Sequence, residues 1–214
     1  AQALRAVAMA RDAGFANVSI DLIIGLPTQT EKSMALNFAA IQALNLAHVS
    51  VYILEGVPRP GSGDRDARLY THARRALVAL GFEHYEVSNF CRPGKASKHN
   101  LKYWRMEPYI GLGPSAAGFL AGRDYRNHAD LKKYYAPLEQ VKLPQTRTKQ
   151  MDPAKRRIIT GLRLLSGIPA SAFKSFSAPT DFLLSEGFLI HRGPNIAVPP
   201  EKILLLNEIL GYFI

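Results

Sequence analysis

The sequence predicts an α/β fold, in which alternating strands and helices are followed by a small α+β domain. Three observations predict it. Strand-like and helix-like segments alternate along the first half of the 214 residues. The run over 18–24 is almost continuously apolar, as in a parallel strand covered on both faces. The order helix, Gly-Phe, strand also occurs twice, beginning at Gly14 and at Gly81. Such alternation is typical of parallel sheets with right-handed crossover connections.

The elements of the first part follow from apolar spacing and from the residues that end helices. We predict a helix to about Ala13, a strand over 18–24, a helix over 28–45, a strand over 49–54, a helix over 64–80 and a strand over 84–90. The second helix is expected to begin with a capping box of Thr28 and Glu31, and the third with Asp64 as its N-cap. Pro58 and Pro60 mark the loop before it.

The pattern changes after Arg126. A polar, proline-containing stretch over 142–152 is a predicted linker, and it is followed by helices over 153–165, 180–185 and 201–212 with a small hairpin around Gly193. Helices, a short β-wing and a closing helix predict a winged-helix-like domain. We therefore expect three regions: a barrel part with a connecting region over 1–127, a helix and linker over 128–150, and a C-terminal domain over 151–214.

Composition limits the classes of function. The formal net charge of +10 favours anionic partners such as phosphates, propionates, nucleic acid or a lipid surface. No apolar run approaches the roughly 20 residues of a membrane span, although peripheral membrane contact stays open. The single cysteine, Cys91, excludes an intramolecular disulfide and a complete cysteine-ligated cluster within this chain, and it fits a reducing, cytoplasmic location. We expect it to be a packing residue.

Two carboxylates are placed by this pattern at or near the carboxyl ends of strands, where α/β folds bind ligands. Asp21 interrupts an apolar strand and needs a partner, because an unpaired buried charge is costly. It could receive a ligand hydroxyl, as an acidic residue does for ribose, or cap a neighbouring helix. Glu55 follows the next strand, so a catalytic carboxylate pair is conceivable, but no histidine or hydroxyl is spaced to complete it.

The stretch from His99 to Trp104 gathers an imidazole, a phenol and the only tryptophan of the chain into six residues. Imidazole and phenolate are both ligands of haem iron. If the stretch is helical, His99 and Tyr103 share a face, because they are four positions apart. The alternative is a loop in which Trp104 fills a gap in the core and His99 is a surface residue.

Two further features allow weaker hypotheses. The loop from Gly111 to Gly113 permits a close approach of the backbone to a ligand, but it is equally compatible with a plain turn. The C-terminal region could bind nucleic acid, because its basic residues could contact phosphate. Those residues are Lys155, Arg156, Arg157 and Arg163. The candidate recognition stretch over 178–186 is acidic and apolar, which makes nucleic-acid binding unlikely.

Several strings, collinear along nearly the whole chain, resemble one family. They are Ile20-Asp21-Leu22-Ile23-Ile24-Gly25-Leu26-Pro27, His48-Val49-Ser50-Val51-Tyr52, His84-Tyr85-Glu86-Val87-Ser88-Asn89-Phe90, His99-Asn100-Leu101-Lys102-Tyr103-Trp104, Tyr109-Ile110-Gly111-Leu112-Gly113, Tyr125-Arg126-Asn127 and Gly161-Leu162-Arg163-Leu164. They are similar to the radical S-adenosylmethionine proteins related to oxygen-independent coproporphyrinogen III oxidase and, within these, to the HemW haem chaperones.

The resemblance implies the C-terminal part of a partial (β/α)6 barrel and the family's C-terminal domain. The cluster-binding half, which carries three cysteines for a 4Fe-4S cluster, is expected to be missing, since the chain opens inside a helical pattern without an initiator Met. By the same resemblance, Asp21 matches a carboxylate that contacts S-adenosylmethionine. Glu55 and Ala117 fall at two further positions of that site, although neither matches the oxidase's residue type.

The same resemblance bears on the stretch at residue 99. His99, Asn100, Tyr103 and Trp104 match the His-Asn-x-x-Tyr-Trp motif that distinguishes the chaperones from the oxidase and is implicated in haem binding. It implies a cytoplasmic chaperone that binds haem or another tetrapyrrole and passes it to acceptor proteins. The alternative is an oxidase that removes carbon dioxide from propionates by radical chemistry. Nucleic-acid binding by the C-terminal domain is a second, weaker alternative.

Overall fold

The computed structural model describes residues 2–55, 61–139, 145–147 and 150–214 of the chain. The loop markers Pro58 and Pro60 therefore lie outside the described residues. The chain divides into two compact units, Ala1–Ala96 with Pro200–Leu204 and Ser97–Pro199 with Leu205–Ile214. The α/β fold class predicted from the sequence is confirmed, and the helices and strands of each unit are described separately below.

The first unit alternates helices and strands, as expected. Its elements are α1 (Gln2–Asp12), β1 (Ser19–Ile24), α2 (Glu31–Ala43), β2 (His48–Ile53), α3 (Gly63–Ala79), β3 (Glu83–Glu86) and β4 (Asn89–Cys91). The four strands form one sheet in the order β1-β2-β4-β3. Strands β1 and β2 are parallel, whereas β4 pairs antiparallel with both β2 and β3.

The single strand predicted over 84–90 is therefore wrong, because the chain reverses there into a β3–β4 hairpin. The reversal brings His84 opposite Phe90, and their rings stack with centroids 4.2 Å apart. The Tyr70 hydroxyl donates to the carbonyl of Val87 at 2.9 Å, which holds the turn. Ser88 thus lies in the turn of this hairpin.

Strand β1 is covered on one face rather than two. Leu22 and Ile24 are buried, whereas Asp21 and Ile23, which point to the opposite face, are exposed. Helix α3 packs against β1, β2 and β3, and α2 packs against α3. The two helices supply core residues Met34, Phe38, Ile41, Leu69, Ala73 and Leu77. The apolar run over 18–24 suggested burial on both faces because Ile23 is apolar although its side chain is exposed.

The capping residues of both helices differ from the prediction. Thr30, not Thr28, is the N-cap of α2, and its capping box is completed by Ser33 rather than Glu31. The helix begins later because the Gln29 side chain first closes a turn, accepting from the Gly25 backbone N–H at 2.7 Å.

Helix α3 also begins differently. Ser62 is at its N-cap without a side-chain hydrogen bond, and Asp64 lies inside the first turn, where a carboxylate suits the positive end of the helix dipole. The prediction of Asp64 as N-cap is therefore wrong by two positions.

The second unit carries two small antiparallel sheets, in the orders β5-β6-β7 and β8-β10-β9. Its elements are α4 (Lys98–Trp104), β5 (Ala117–Leu120), β6 (Arg123–Asn127), α5 (Leu131–Glu139), β7 (Gln145–Arg147), α6 (Pro153–Gly161), β8 (Ile168–Pro169), α7 (Ser177–Ser185), β9 (Ile190–Arg192), β10 (Asn195–Ala197) and α8 (Leu206–Gly211). The predicted hairpin around Gly193 is confirmed as β9–β10. The helix predicted over 180–185 begins three residues earlier, at Ser177.

Three predictions in this unit need correction or restriction. The helix predicted over 153–165 ends at Gly161, which packs closely against Ile168 and leaves no room for a Cβ. The apolar helix predicted over 201–212 is a 3₁₀ helix, Pro200–Leu205, followed by α8, and its buried positions Ile203, Leu206 and Ile209 recur at the three-residue period of a 3₁₀ turn. Within the predicted linker, 145–147 form β7, whereas 142–144, 148 and 149 lie outside the described residues.

Candidate functional site

The stretch from His99 to Trp104 is helical, as the ligand hypothesis required. Ser97 caps α4 by accepting a hydrogen bond from the Asn100 backbone N–H at 3.3 Å. The alternative of a loop is therefore excluded. The helix places His99 and Tyr103 one above the other, while Asn100 and Trp104, each one position further on, form a second row.

His99 and Tyr103 form a hydrogen-bonded pair. The Tyr103 hydroxyl lies 2.7 Å from Nε2 of His99, and the two rings meet edge to face with centroids 4.9 Å apart. Tyr109 packs against Tyr103 at 4.5 Å and fixes its ring from the other side. His99 is exposed and Tyr103 is half-buried. The imidazole and the phenol are both groups that can bind haem iron, and their hydrogen bond orients them relative to each other.

Trp104 ends the same helix and is also held in place. The guanidinium group of Arg163 lies over the indole ring, 5.3 Å from its centroid, in a cation–π contact. The ring of Tyr103 lies edge-on at 6.3 Å. Trp104 is half-buried, so its ring is partly available to a ligand. The motif residues are therefore arranged as an oriented His–Tyr pair with an adjoining, partly exposed indole.

Asp21 lies in the middle of β1, not at its end. It pairs in register with Ser50 of β2, and Ser50 pairs with Asn89 of β4. Because partners in a sheet point to the same face, the three polar side chains form a row across three strands. The side-chain oxygen of Asn89 is buried and has no hydrogen-bond partner among the described residues. The row therefore offers hydrogen-bonding groups to a polar ligand.

A second polar row, which sequence reasoning missed, lies next to it. Ser19 Oγ is 2.8 Å from Nδ1 of His48, and Nε2 of His48 is 2.9 Å from the Tyr85 hydroxyl. Burial lowers the pKa of His48, although the nearby Asp21 carboxylate opposes the shift. The signal was present in β2, where His48 and Ser50 alternate with valines, but a buried strand in an α/β fold is expected to be apolar on both faces.

The other two positions assigned to S-adenosylmethionine are both exposed. Glu55 lies two residues beyond the end of β2, outside the sheet, and Ala117 is the first residue of β5. Asp21 and Glu55 belong to the first unit and Ala117 to the second. Asp21 is in register with Ser50, five residues before Glu55, so the sheet does not place the two carboxylates opposite each other, and a joint site with Ala117 stays a prediction.

The loop from Gly111 to Gly113 is held by its own chain. The side-chain amide of Asn127 donates to the carbonyls of both glycines, at 3.0 and 2.9 Å. The hydroxyls of Tyr125 and Tyr134 accept from the two glycine N–H groups, at 2.9 and 3.1 Å. The next element after this loop is the strand β5, not a helix whose N-terminus could favour a bound phosphate.

Two of the four basic residues considered for phosphate binding already make side-chain contacts within the second unit. Arg156 forms an ion pair with Asp124 and lies over the Phe119 ring at 4.3 Å. Arg163 covers Trp104. Both side chains therefore have structural roles, which weakens the nucleic-acid alternative.

Cys91 is buried, as predicted for a packing residue. Burial raises the pKa of its thiol to about 11, so the group is protonated near neutral pH. Among the described residues, no group of three or more histidine, cysteine or acidic side chains could hold a metal ion. No described helix is long and apolar enough to cross a membrane.

Known proteins resemble this chain in both sequence and fold. It is 36% identical over 180 residues to the heme chaperone HemW of Lactococcus lactis, covering 77% of this chain and 47% of the relative. It is 30% identical to the HemW of Bacillus subtilis, covering 96% of this chain and 61% of the relative. The chain therefore spans about half to three fifths of the length of these relatives. No family model matches.

A solved structure agrees with these relatives. Coproporphyrinogen III oxidase of Escherichia coli, described as a radical SAM enzyme, superposes with a TM-score of 0.72 at 20% identity over 98% of this chain and 57% of the other. The fold is thus that of part of a radical S-adenosylmethionine protein. Together, the sequence relatives and the likeness in fold show that the chain belongs to the HemW-like family of radical S-adenosylmethionine proteins. Membership implies S-adenosylmethionine and a 4Fe-4S cluster as cofactors of the family.

Proposed function

We propose that this chain is the haem-carrying part of a haem chaperone. The observation that carries the proposal is the hydrogen-bonded pair of His99 and Tyr103 on the exposed side of α4. Both side chains are haem-iron ligands in proteins, and curated relatives of similar sequence are named heme chaperones. Haem, and the proteins that accept it, are accordingly the proposed cargo and partners.

The pair suits reversible iron binding. When iron approaches, the Tyr103 phenol gives its proton to Nε2 of His99 and binds as phenolate, while the resulting imidazolium stabilises the negative charge on the oxygen. When iron leaves, the proton returns to the phenolate. Alternatively, His99 binds the metal directly and Tyr103 orients its ring. Either way one residue is the ligand and the other its hydrogen-bond partner, so both contribute to affinity.

S-adenosylmethionine is proposed to bind at Asp21, Glu55 and Ala117. The row of Asp21, Ser50 and Asn89 supports this, because a carboxylate and a buried amide oxygen without a partner fit the hydroxyl and amino groups of that molecule. We place the activity in the cytoplasm, and the net charge of +10 also suits transient contact with an anionic membrane surface.

The proposal is tested by titrating the 214-residue chain with haem and following the Soret band. Replacing His99 by alanine together with Tyr103→Phe is expected to weaken binding by about tenfold or more, as for the loss of a ligand or its orienting partner. The matched control is His191→Ala with Tyr135→Phe, since both residues are exposed in the same unit. Equal affinities of the two double variants would contradict ligation by the pair.

The oxidase alternative rests on the likeness to coproporphyrinogen III oxidase, which at 20% identity carries the fold alone. It is separated from the chaperone by carbon dioxide release from coproporphyrinogen III, measured on the chain joined to a cluster-binding part and supplied with a reductant and S-adenosylmethionine, because the single cysteine of this chain cannot hold a 4Fe-4S cluster. The chaperone proposal expects no release above that of Asp21→Asn. Release that depends on Asp21 would favour the oxidase.

A further inference from the structure

A cleft of about 880 Å³ lies within the second unit, beside the motif helix. This volume is in the range of small-molecule binding sites. One wall is the end of α4, from Trp104 to Met106. The rest of the lining comes from the start of α6, from the turn and strand over 164–169, and from the 3₁₀ helix Ala170–Phe176. The cleft is therefore built by four segments of a single compact unit.

The charged side chains of the cleft are all basic. Arg105, Arg157 and Lys174 line it, and no acidic residue is found among its described lining. Arg157 and Lys174 are exposed and form no ion pair within the described part of the chain. Arg105 is only loosely engaged, since its guanidinium lies 4.0 Å from Glu107. Such a cleft attracts an anion, and guanidinium and ammonium groups are the usual partners of carboxylate.

The uncharged part of the lining is largely apolar and includes a flat ring. The Trp104 indole, with Arg163 over its ring, lies among Met106, Leu164 and Ile168. Gly167 forms part of the same wall with φ +68, and a Cβ there would collide with the carbonyl of Ile196, so the chain can follow this path only with glycine. An aromatic wall combined with basic groups suits a planar, apolar molecule that carries carboxylates.

Trp104 is the one motif residue on the described lining of the cleft, since Asn100, which lies in the same row, does not line it. Trp104 lines it, whereas His99 and Tyr103 are not among its lining residues. Recognition of the organic part of a ligand and coordination of its metal would then be separate tasks within one short helix.

We propose that this cleft binds the carboxylate-bearing tetrapyrrole ring itself, with the macrocycle against Trp104 and its carboxylates on Arg157 and Lys174. The choice of a tetrapyrrole rests on the function proposed above. The inference goes beyond it because binding in the cleft requires carboxylates and a flat ring but no iron. A metal-free porphyrin is therefore a ligand of the cleft.

Trp104 supplies the measurement, because it is the only tryptophan of the chain. We expect metal-free coproporphyrin, which carries four carboxylates, to quench its fluorescence saturably. A tetracationic porphyrin with the same central ring should bind about tenfold more weakly or not at all, since opposite charges attract and like charges repel at the basic lining. Equal affinity for the two porphyrins would overturn the proposal.

Variants that remove positive charge test whether coproporphyrin binds in the cleft. Arg157→Gln with Lys174→Gln is expected to weaken coproporphyrin binding by about five- to tenfold, the range for losing two partly screened charge contacts. Lys32→Gln with Arg68→Gln removes the same charge from exposed positions of the first unit and should leave the affinity unchanged. If both double variants bind equally, attraction is due to net charge alone and the cleft is not the site.

Separate measurements distinguish iron binding by His99 and Tyr103 from porphyrin binding in the cleft. His99→Ala with Tyr103→Phe should change the Soret band of bound haem while leaving the quenching of Trp104 by coproporphyrin within about twofold. Loss of coproporphyrin binding in that variant would overturn the separation of ring and metal recognition. A haem titration unaffected by Arg157→Gln with Lys174→Gln would refute the cleft and leave iron binding by the pair standing.

Discussion

His84 should make the stability of the first unit depend on pH in the acidic range. Its ring stacks on Phe90 at an interplanar angle of 9°, and its Nε2 lies 3.4 Å from the Tyr70 hydroxyl. Burial lowers the pKa of His84 to about 4, because the charged imidazolium would lose its hydration. Burial also lowers the pKa of His48, on the other face of the sheet. Both side chains are therefore held neutral in the folded state.

The folded chain should lose stability as the pH falls from about 6.5 toward 4. An unfolded histidine takes up a proton near pH 6.5, whereas folded His84 resists protonation down to about pH 4. In that window the unfolded state binds more protons, so the free energy of unfolding decreases with falling pH, by at most about 3 kcal/mol for this group. Urea unfolding between pH 7.5 and 4.5 measures the change.

The control separates His84 from the other ionisable groups. His84→Phe retains a ring against Phe90 but cannot titrate, so its unfolding free energy should depend less steeply on pH. His191→Gln, at an exposed position, should retain the full slope. The same slope in all three proteins would contradict the role of His84.

The sequence predicts the candidate site in part. The four-residue spacing of His99 and Tyr103 requires only a helix for the two side chains to share a face, and α4 is that helix. Their hydrogen bond also depends on the side-chain rotamers, and the contact of the Tyr109 ring with Tyr103, at a centroid distance of 4.5 Å, is not revealed by the spacing. The exposure of Asp21 was also missed, because a strand's open face is set by which helices cover it and not by the strand itself.

At the scale of elements, the start of α2 provides the clearest test. Thr30→Ala removes the side chain that accepts from Ser33 and should lower the free energy of unfolding by about 1 kcal/mol. Thr28→Ala changes the residue type in the same way at the position first expected to cap the helix, and it should have little effect. Urea denaturation of both variants measures the difference. An equal loss in both would contradict the observed cap.

Long, periodic helices and the apolar parallel strands were predictable, whereas reversals within a few residues were not. The segment from Glu83 to Cys91 shows why. Its residues include the strand formers Tyr85, Val87 and Phe90, and the turn contains neither glycine nor proline. The reversal is stabilised by groups distant in sequence, such as the Tyr70 hydroxyl on the carbonyl of Val87. Such contacts cannot be inferred from local sequence patterns.

At the scale of the whole molecule, the number of cysteines determines whether the chain can bind an iron–sulfur cluster. A 4Fe-4S cluster needs several cysteine thiolates. Cys91 is the only cysteine, it is buried, and burial raises its pKa to about 11. We therefore expect iron–sulfide reconstitution of the 214-residue chain to give no stoichiometric cluster absorption in the visible spectrum. A stable band that disappears in Cys91→Ala would prove this wrong.

The division of the chain into units has a consequence for its synthesis. The first unit consists of Ala1–Ala96 and the distant segment Pro200–Leu204, in which Glu201 lies 3.8 Å from Arg74 of α3. A ribosome delivers the two parts at different times, with Ser97–Pro199 in between. Domains generally fold as they emerge, starting from the N-terminus. The first unit can therefore complete its structure only after Pro200–Leu204 has been synthesised.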